Sequence, residues 1–201
     1  MTLLQSKWVF WYDRKQDYVN DNSGNPDIYI NALHNLGSFS TIEDFWKLIS
    51  NICTVDNLPR DVNLNCFREG YRPMWEELPE GGSWVLKYRE RTFRVPLWED
   101  LLMHVIQESF EEPEVVGIGL NIRQKEDCLS IWIRTATPEI KARVENYFRL
   151  LLNLDRSVAL EFKSHATSLR SIKSTPMKRE PVSKSENAEA KETIKSEEKS
   201  E

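Results

Sequence analysis

The 201-residue chain has no apolar run approaching the roughly 20 residues of a membrane span. Its opening residues, Met1 to Trp8, also lack a charged leader followed by an apolar stretch of signal-peptide length. Both absences predict a protein without membrane contact, placed in the cytoplasm, with the nucleus as the alternative. Cysteine is scarce: Cys53, Cys66 and Cys128 are odd in number, widely spaced and free of any C-x-x-C pattern, which excludes a disulfide framework and predicts reduced thiols. The three histidines, His34, His104 and His165, lie far from one another and from any cysteine. No glycine-rich phosphate cradle, G-x-S-x-G elbow or H-E-x-x-H helix is present. The chain therefore reads as a non-enzyme with no metal and no cofactor. Basic excess is missing too, since 27 Lys and Arg face 32 Asp and Glu, which argues against binding duplex nucleic acid through a broad basic face. A small pocket for one charged nucleotide remains compatible with that balance.

Aromatic residues are abundant but confined. Residues 166 to 201 hold none, while carrying 8 basic and 7 acidic side chains. Such a segment cannot bury a core, so residues 1 to 165 are expected to form one domain and residues 166 to 201 a disordered charged tail, phosphorylated or merely solvated. Within the domain, residues 7 to 13 read as a strand, 20 to 27 as a turn, and Asp27 to Phe39 as a second strand. Thr41 caps a helix in which Ile42, Phe45, Trp46, Ile49 and Ile52 recur at helical spacing. Strands are expected at 62 to 69 and 82 to 89. A second helix starts near Pro96 and runs towards Phe110, and a hairpin spans 115 to 123 and 128 to 135 with a charged tip at Gln124-Lys125-Glu126-Asp127. A third helix runs from Thr137-Pro138 to about Leu152, and Val158 to Lys163 forms a last strand. Three helices among about eight strands predict an α+β domain with the helices on one face of an antiparallel sheet and the other face free for a ligand.

Several large rings sit where burial does not demand them. Trp75 lies in a polar loop and is followed by Glu76; Trp132 lies on a strand whose hairpin partner brings Arg123 and Lys125; Tyr29 follows the long turn. Two flat rings can sandwich a base, and a cationic base such as methylated guanine adds a cation–π contribution of about 0.5 to 2 kcal/mol. A carboxylate at Glu76 could accept both the N1–H and the N2–H₂ of guanine, and Arg123 and Lys125 could meet trailing phosphates. From the residues alone the plainer reading leads: Trp75 as a lid over the core, and Trp132 as part of it.

The strings Trp8-x-x-Trp11, Gly37-Ser38-Phe39-Ser40-Thr41-Ile42-Glu43-Asp44-Phe45-Trp46, Phe67-Arg68-Glu69-Gly70-Tyr71-Arg72-Pro73-Met74-Trp75-Glu76 and Gly81-Gly82-Ser83-Trp84 follow one another in the chain. Glu108-Ser109-Phe110, Gly117 to Arg123, Ile131-Trp132 and Ser164-His165 continue the series. In this order and spacing, over roughly residues 3 to 165, they resemble the messenger-RNA cap-binding family of the eukaryotic translation initiation factor four-E type. The resemblance implies a curved antiparallel sheet with three helices on its convex face. It also implies that Trp75 and Tyr29 sandwich the 7-methylguanine, Glu76 accepts from its edge, Trp132 touches the methyl group, and Arg123, helped by Lys125, holds phosphate. Tyrosine at position 29 resembles the divergent homologous cap-binding proteins, including animal forms that often act as translational repressors.

Other departures fall on the phosphate site, where Ser83 and Cys128 replace basic residues of the family pattern. A well-made charged hydrogen bond is worth about 1.5 to 3 kcal/mol, so cap affinity is expected to be about tenfold or more weaker than the family's best. On the helical side, Ile42, Trp46 and Met103 match the surface that receives a Tyr-x-x-x-x-Leu-hydrophobic helix of scaffold or inhibitor proteins, whereas Glu99 and Thr2-Leu3 depart from it. The implied protein is a monomeric, non-catalytic cap-binding factor of translation, a specialised isoform. The alternatives are a repressor that occupies caps without recruiting the ribosome scaffold, or a peptide-binding module without useful cap affinity.

Overall fold

Alternation within the strands decides where everything else goes. The computed structural model describes residues 1–18, 26–109 and 112–174. Seven strands form one curved, unclosed antiparallel sheet: β1 (Leu3–Arg14), β2 (His34–Thr41), β3 (Val62–Arg68), β4 (Gly82–Tyr88), β5 (Val115–Ile122), β6 (Asp127–Ile133) and β7 (Leu160–Ser164), in the order β2-β1-β3-β5-β6-β4-β7. Because side chains alternate across a strand, the pairing Phe10↔Cys66↔Ile118↔Ile131 puts four apolar residues on one face. Trp8, Leu64, Leu120, Leu129 and Ile133 share that face and are buried with them. The intervening residues face the other way: Trp11 and Asp13 on β1, Asn63, Asn65 and Phe67 on β3, Gly117, Gly119 and Asn121 on β5, Ser130 and Trp132 on β6.

Three helices cover the apolar face: α2 (Ile42–Ile49), α3 (Arg94–Gln107) and α4 (Pro138–Leu151), through Phe45, Trp98, Leu101, Leu102, Val105, Val144 and Phe148. Two of the three helix starts read from sequence carry side-chain caps. The Thr41 hydroxyl accepts from the Asp44 N–H at 3.0 Å and that of Thr137 from the Ile140 N–H at 3.3 Å, each cap worth about 1 kcal/mol. Helix α3 begins at Arg94, two residues before Pro96, and ends at Gln107; Phe110 lies outside the described residues. No described helix is long and apolar enough to cross a membrane. The three cysteines are free: Cys53 is exposed, Cys66 buried and Cys128 half-buried.

Two expectations are corrected. The stretch Asp27 to Phe39 is not one strand: Pro26–Ala32 is a helix, α1, and the strand begins only at His34. Proline at the first helical position and Asp27 in the first turn favour the helix, and its spacing brings Ala32 and Leu33 into buried positions. The alternation Ile28-Tyr29-Ile30-Asn31 imitates a strand over too few residues to decide. A fifth helix, α5 (His165–Ser174), continues past residue 165, where the tail was expected to start; residues 175 to 201 and most of the 20 to 27 turn lie outside the described residues.

Candidate functional site

The sheet face opposite α2, α3 and α4 holds a cleft of about 370 Å³. Its lining includes Tyr29, Trp75, Glu76, Arg123 and Trp132, brought from α1, the loop between β3 and β4, and the β5–β6 hairpin. Trp75 stands at the start of a single 3-10 turn, half-buried against a small cluster made by Phe67, Leu78, Val116 and Trp132. That turn is fastened on both sides. Arg72 ion-pairs with Glu77 and its backbone N–H donates to the Glu77 carboxylate at 3.1 Å, while the Leu78 N–H donates to the Trp75 carbonyl at 3.1 Å. Glu77 is thus engaged, whereas its neighbour Glu76 is exposed and has no hydrogen-bond partner among the described residues. An unspent carboxylate beside an aromatic ring can accept two parallel N–H donors from a ligand.

Trp132 forms the inner wall. Its ring meets Phe67 edge-on at 5.3 Å and His165 at 4.6 Å, and its indole N–H donates to the Ser130 hydroxyl at 3.2 Å. A Cβ at Gly117 would come within 2.5 Å of the Phe67 ring, so glycine there is what lets that ring lie across β5. His165 is fully buried behind the wall, its Nδ1 2.9 Å from the Leu78 carbonyl, which fixes the proton on Nδ1. Burial pushes its pKa below the ordinary 6.5, with the Leu78 carbonyl pulling the other way. The folded protein therefore refuses a proton that the unfolded chain accepts. The stability that neutral His165 contributes is fully present above pH 6.5 and is lost as the pH drops below that value. A melting series from pH 7.5 down to about pH 5 should show this loss for the wild type and a smaller one for His165→Asn, which cannot titrate; equal slopes would exonerate His165.

Tyr29 projects from α1 with its hydroxyl 3.1 Å from the Pro73 carbonyl and 3.4 Å from the Asp13 carboxylate, and its ring meets Tyr18 edge-on at 4.9 Å. Burial and the nearby Asp13 charge push its phenol up, so it stays a neutral donor. Asp13 is fully buried; burial raises its pKa, while hydrogen bonds from Asn63, Tyr18 and Tyr29 and the charge of Arg123 hold it down. Arg123 donates to the carbonyls of Val62 (3.0 Å) and Ile122 (2.9 Å) and to Asn63 Oδ1 (2.6 Å). With those three donors engaged, two of a guanidinium's five N–H groups are left for an anion in the cleft.

Lys125 is exposed on the β5–β6 turn and is not among the residues lining the cleft. Lys15, which follows β1, is, and nothing in the sequence distinguished it from other surface lysines. Asp127 belongs to the buried interior rather than to a charged tip: it pairs with Arg94 at 2.7 Å and accepts the Arg123 backbone N–H at 3.0 Å. Tyr18, Asn63, Asn65 and Asn121 were likewise not foreseen in the lining. Ser83 is buried and Cys128 half-buried, with burial raising the thiol's pKa. On the opposite side of the protein Ile42 and Trp46 are 38% and 51% exposed, one turn apart on α2, while Met103 is half-buried against the core. Among the described residues no group of three or more His, Cys, Asp or Glu gathers as a metal site.

A family model described as eukaryotic initiation factor 4E matches residues 3–180. The chain belongs to this family. Curated relatives include the eukaryotic translation initiation factor NCBP of Oryza sativa, 30% identical over 171 residues covering 83% of this chain and 73% of the relative. Another is the initiation factor 4E of Dictyostelium discoideum, 29% identical over 174 residues covering 85% and 67%. Among solved structures, Caenorhabditis elegans eIF4E-3 in complex with the 4E-binding protein Mextli and a cap analog superposes with a TM-score of 0.72 at 28% identity, covering 83% of this chain and 94% of that one. Ascaris suum eIF4E-3 with the m2,2,7G cap gives 0.70 at 27% identity, covering 82% and 91%. The family's α+β sheet thus agrees with the arrangement described above.

Proposed function

We propose that this protein binds the 7-methylguanosine cap of messenger RNA and joins it to a partner protein in translation initiation or its regulation. The observation that carries this is the convergence of Tyr29, Trp75 and Trp132 with an unspent Glu76 carboxylate and a half-spent Arg123 on one cleft. The C. elegans and A. suum relatives, solved with cap compounds, support it. In this reading Tyr29 and Trp75 stack on the base, Glu76 accepts its N1–H and N2–H₂, Trp132 meets the methyl group and Arg123 takes phosphate. Tryptophan-fluorescence titration with 7-methyl-GTP beside GTP tests it: saturable quenching that requires the methyl group supports cap binding, and no quenching at high micromolar ligand removes it.

Phosphate contacts come from Arg123 and Lys15 rather than Lys125. Lys15→Ala should weaken 7-methyl-GTP binding about threefold and flatten its salt dependence, while Lys125→Ala changes it less than about twofold. The reverse ranking would restore Lys125 as the ligand. With Ser83 buried and Cys128 uncharged, the phosphate end is thinly served, which favours a specialised isoform or repressor over a general initiation factor.

The partner surface is the exposed side of α2. Trp46 is half-exposed although it sits beside the buried Phe45, and a large exposed ring next to Ile42 fits the apolar face of an amphipathic helix. Trp46→Ala should reduce binding of a Tyr-x-x-x-x-Leu-hydrophobic peptide by about thirtyfold or more and leave 7-methyl-GTP affinity unchanged. Undiminished peptide binding would place the partner elsewhere.

A further inference from the structure

Four levels of side chains line the cleft floor, set by strand pairing. Gly117 faces Trp132, Gly119 faces both Asn65 and Ser130, Asn121 faces Asn63, and Arg123 follows. Residues on one face of a strand recur about every 6.6 Å, so the Asn65 level is one step from Trp132 on the way to Arg123. A nucleotide with its base against Trp132 and its phosphates towards Arg123 must lay its ribose over that step.

The amides on this floor are not equally occupied. Asn63 is saturated: its Oδ1 accepts from Asn121 Nδ2 and Arg123 Nη2, and its Nδ2 donates to Asp13 at 2.7 Å and Tyr18 at 3.1 Å. Asn121 has its amide donor turned to Asn63. Ser130 is taken by the Gly119 carbonyl and the Trp132 indole. Asn65 differs from all of them. It is 4% exposed, lines the cleft, and makes no side-chain hydrogen bond among the described residues. Its amide opens on the cleft with donor and acceptor both unspent, and so is available to a ligand there. Gly119 keeps it in place, because a Cβ there would meet Asn65 Oδ1 at 2.6 Å.

We infer that Asn65 hydrogen-bonds the ribose hydroxyls of the bound nucleotide and makes the pocket selective for a ribonucleoside over a deoxynucleoside. An amide offers one donor side and one acceptor side, which matches a hydroxyl pair that also donates and accepts. A phosphate would use only the donor and leave Oδ1 facing negative charge, and the polar edge of guanine is already directed to Glu76. This inference rests on the cap-binding reading above.

The test is titration of the full chain with 7-methyl-GTP and with its 2′,3′-dideoxy form, for wild type, Asn65→Ala and the smaller polar change Asn65→Ser. Wild type should bind the ribose form about fivefold more tightly, and Asn65→Ala should bind the two alike, at the weaker of the two wild-type affinities. A change that merely disturbed the fold would weaken both ligands and keep their ratio. Equal wild-type affinities, or an unchanged ratio in Asn65→Ala, overturns the assignment while leaving cap binding intact. Failure of wild type to bind 7-methyl-GTP at all overturns the cap reading and this assignment together.

Discussion

Trp75→Ala is expected to lower affinity for 7-methyl-GTP by about a hundredfold or more. Base–aromatic stacking is worth about 1 to 3 kcal/mol, and a cationic base adds about 0.5 to 2 kcal/mol, which together reach two or more powers of ten in affinity. The fold should survive, since Trp75 packs only at the edge of the minor cluster and the main core under the three helices does not include it. A melting curve measured beside the titration separates the two effects. If affinity falls by less than about threefold with the fold intact, Trp75 is a lid and not a stacking surface.

Glu76→Ala should cost about thirtyfold for 7-methyl-GTP, two charge-assisted hydrogen bonds being removed at a partly open edge. The more telling readout is selectivity. Wild type should favour the monomethyl guanine over the trimethyl form by about tenfold, because the second form has no N2–H to offer the carboxylate. Glu76→Ala should lose that preference. The A. suum relative is solved with both m7G and m2,2,7G caps, so the contrast is accessible within this fold. Equal wild-type affinity for the two ligands would mean that Glu76 does not read the N2 edge.

Much of this architecture was legible before the structure. Helix α2 announced itself through the Thr41 cap, and β3 to β6 through β-branched and aromatic runs between turns. Trp75 and Trp132 stood out as large rings where burial does not demand them, and Glu76 and Arg123 as the charged residues beside them. What was hidden depends on contacts between distant positions. Asp13 and Asn63 are 50 residues apart and their 2.7 Å hydrogen bond exists only because β1 and β3 pair in one register. Asp127 looked like a turn carboxylate, and only the placement of Arg94 at the start of α3 makes it an interior ion. Lys15 reaches the cleft, and Lys125 does not, through the paths of short connections that residue patterns leave undetermined. Helix α1 was missed because seven residues are too few for a period to show.

The alternation along β3 has a consequence for how the chain can vary. Val62, Leu64 and Cys66 serve the core while Asn63, Asn65 and Phe67 serve the cleft. Inserting or deleting a single residue in that strand would exchange the two sets, sending amides into the hydrophobic interior and aliphatic groups onto the ligand floor. Length changes in this family member should therefore be tolerated in the connecting loops and purged from the central strands, even where a point substitution at the same position would be mild.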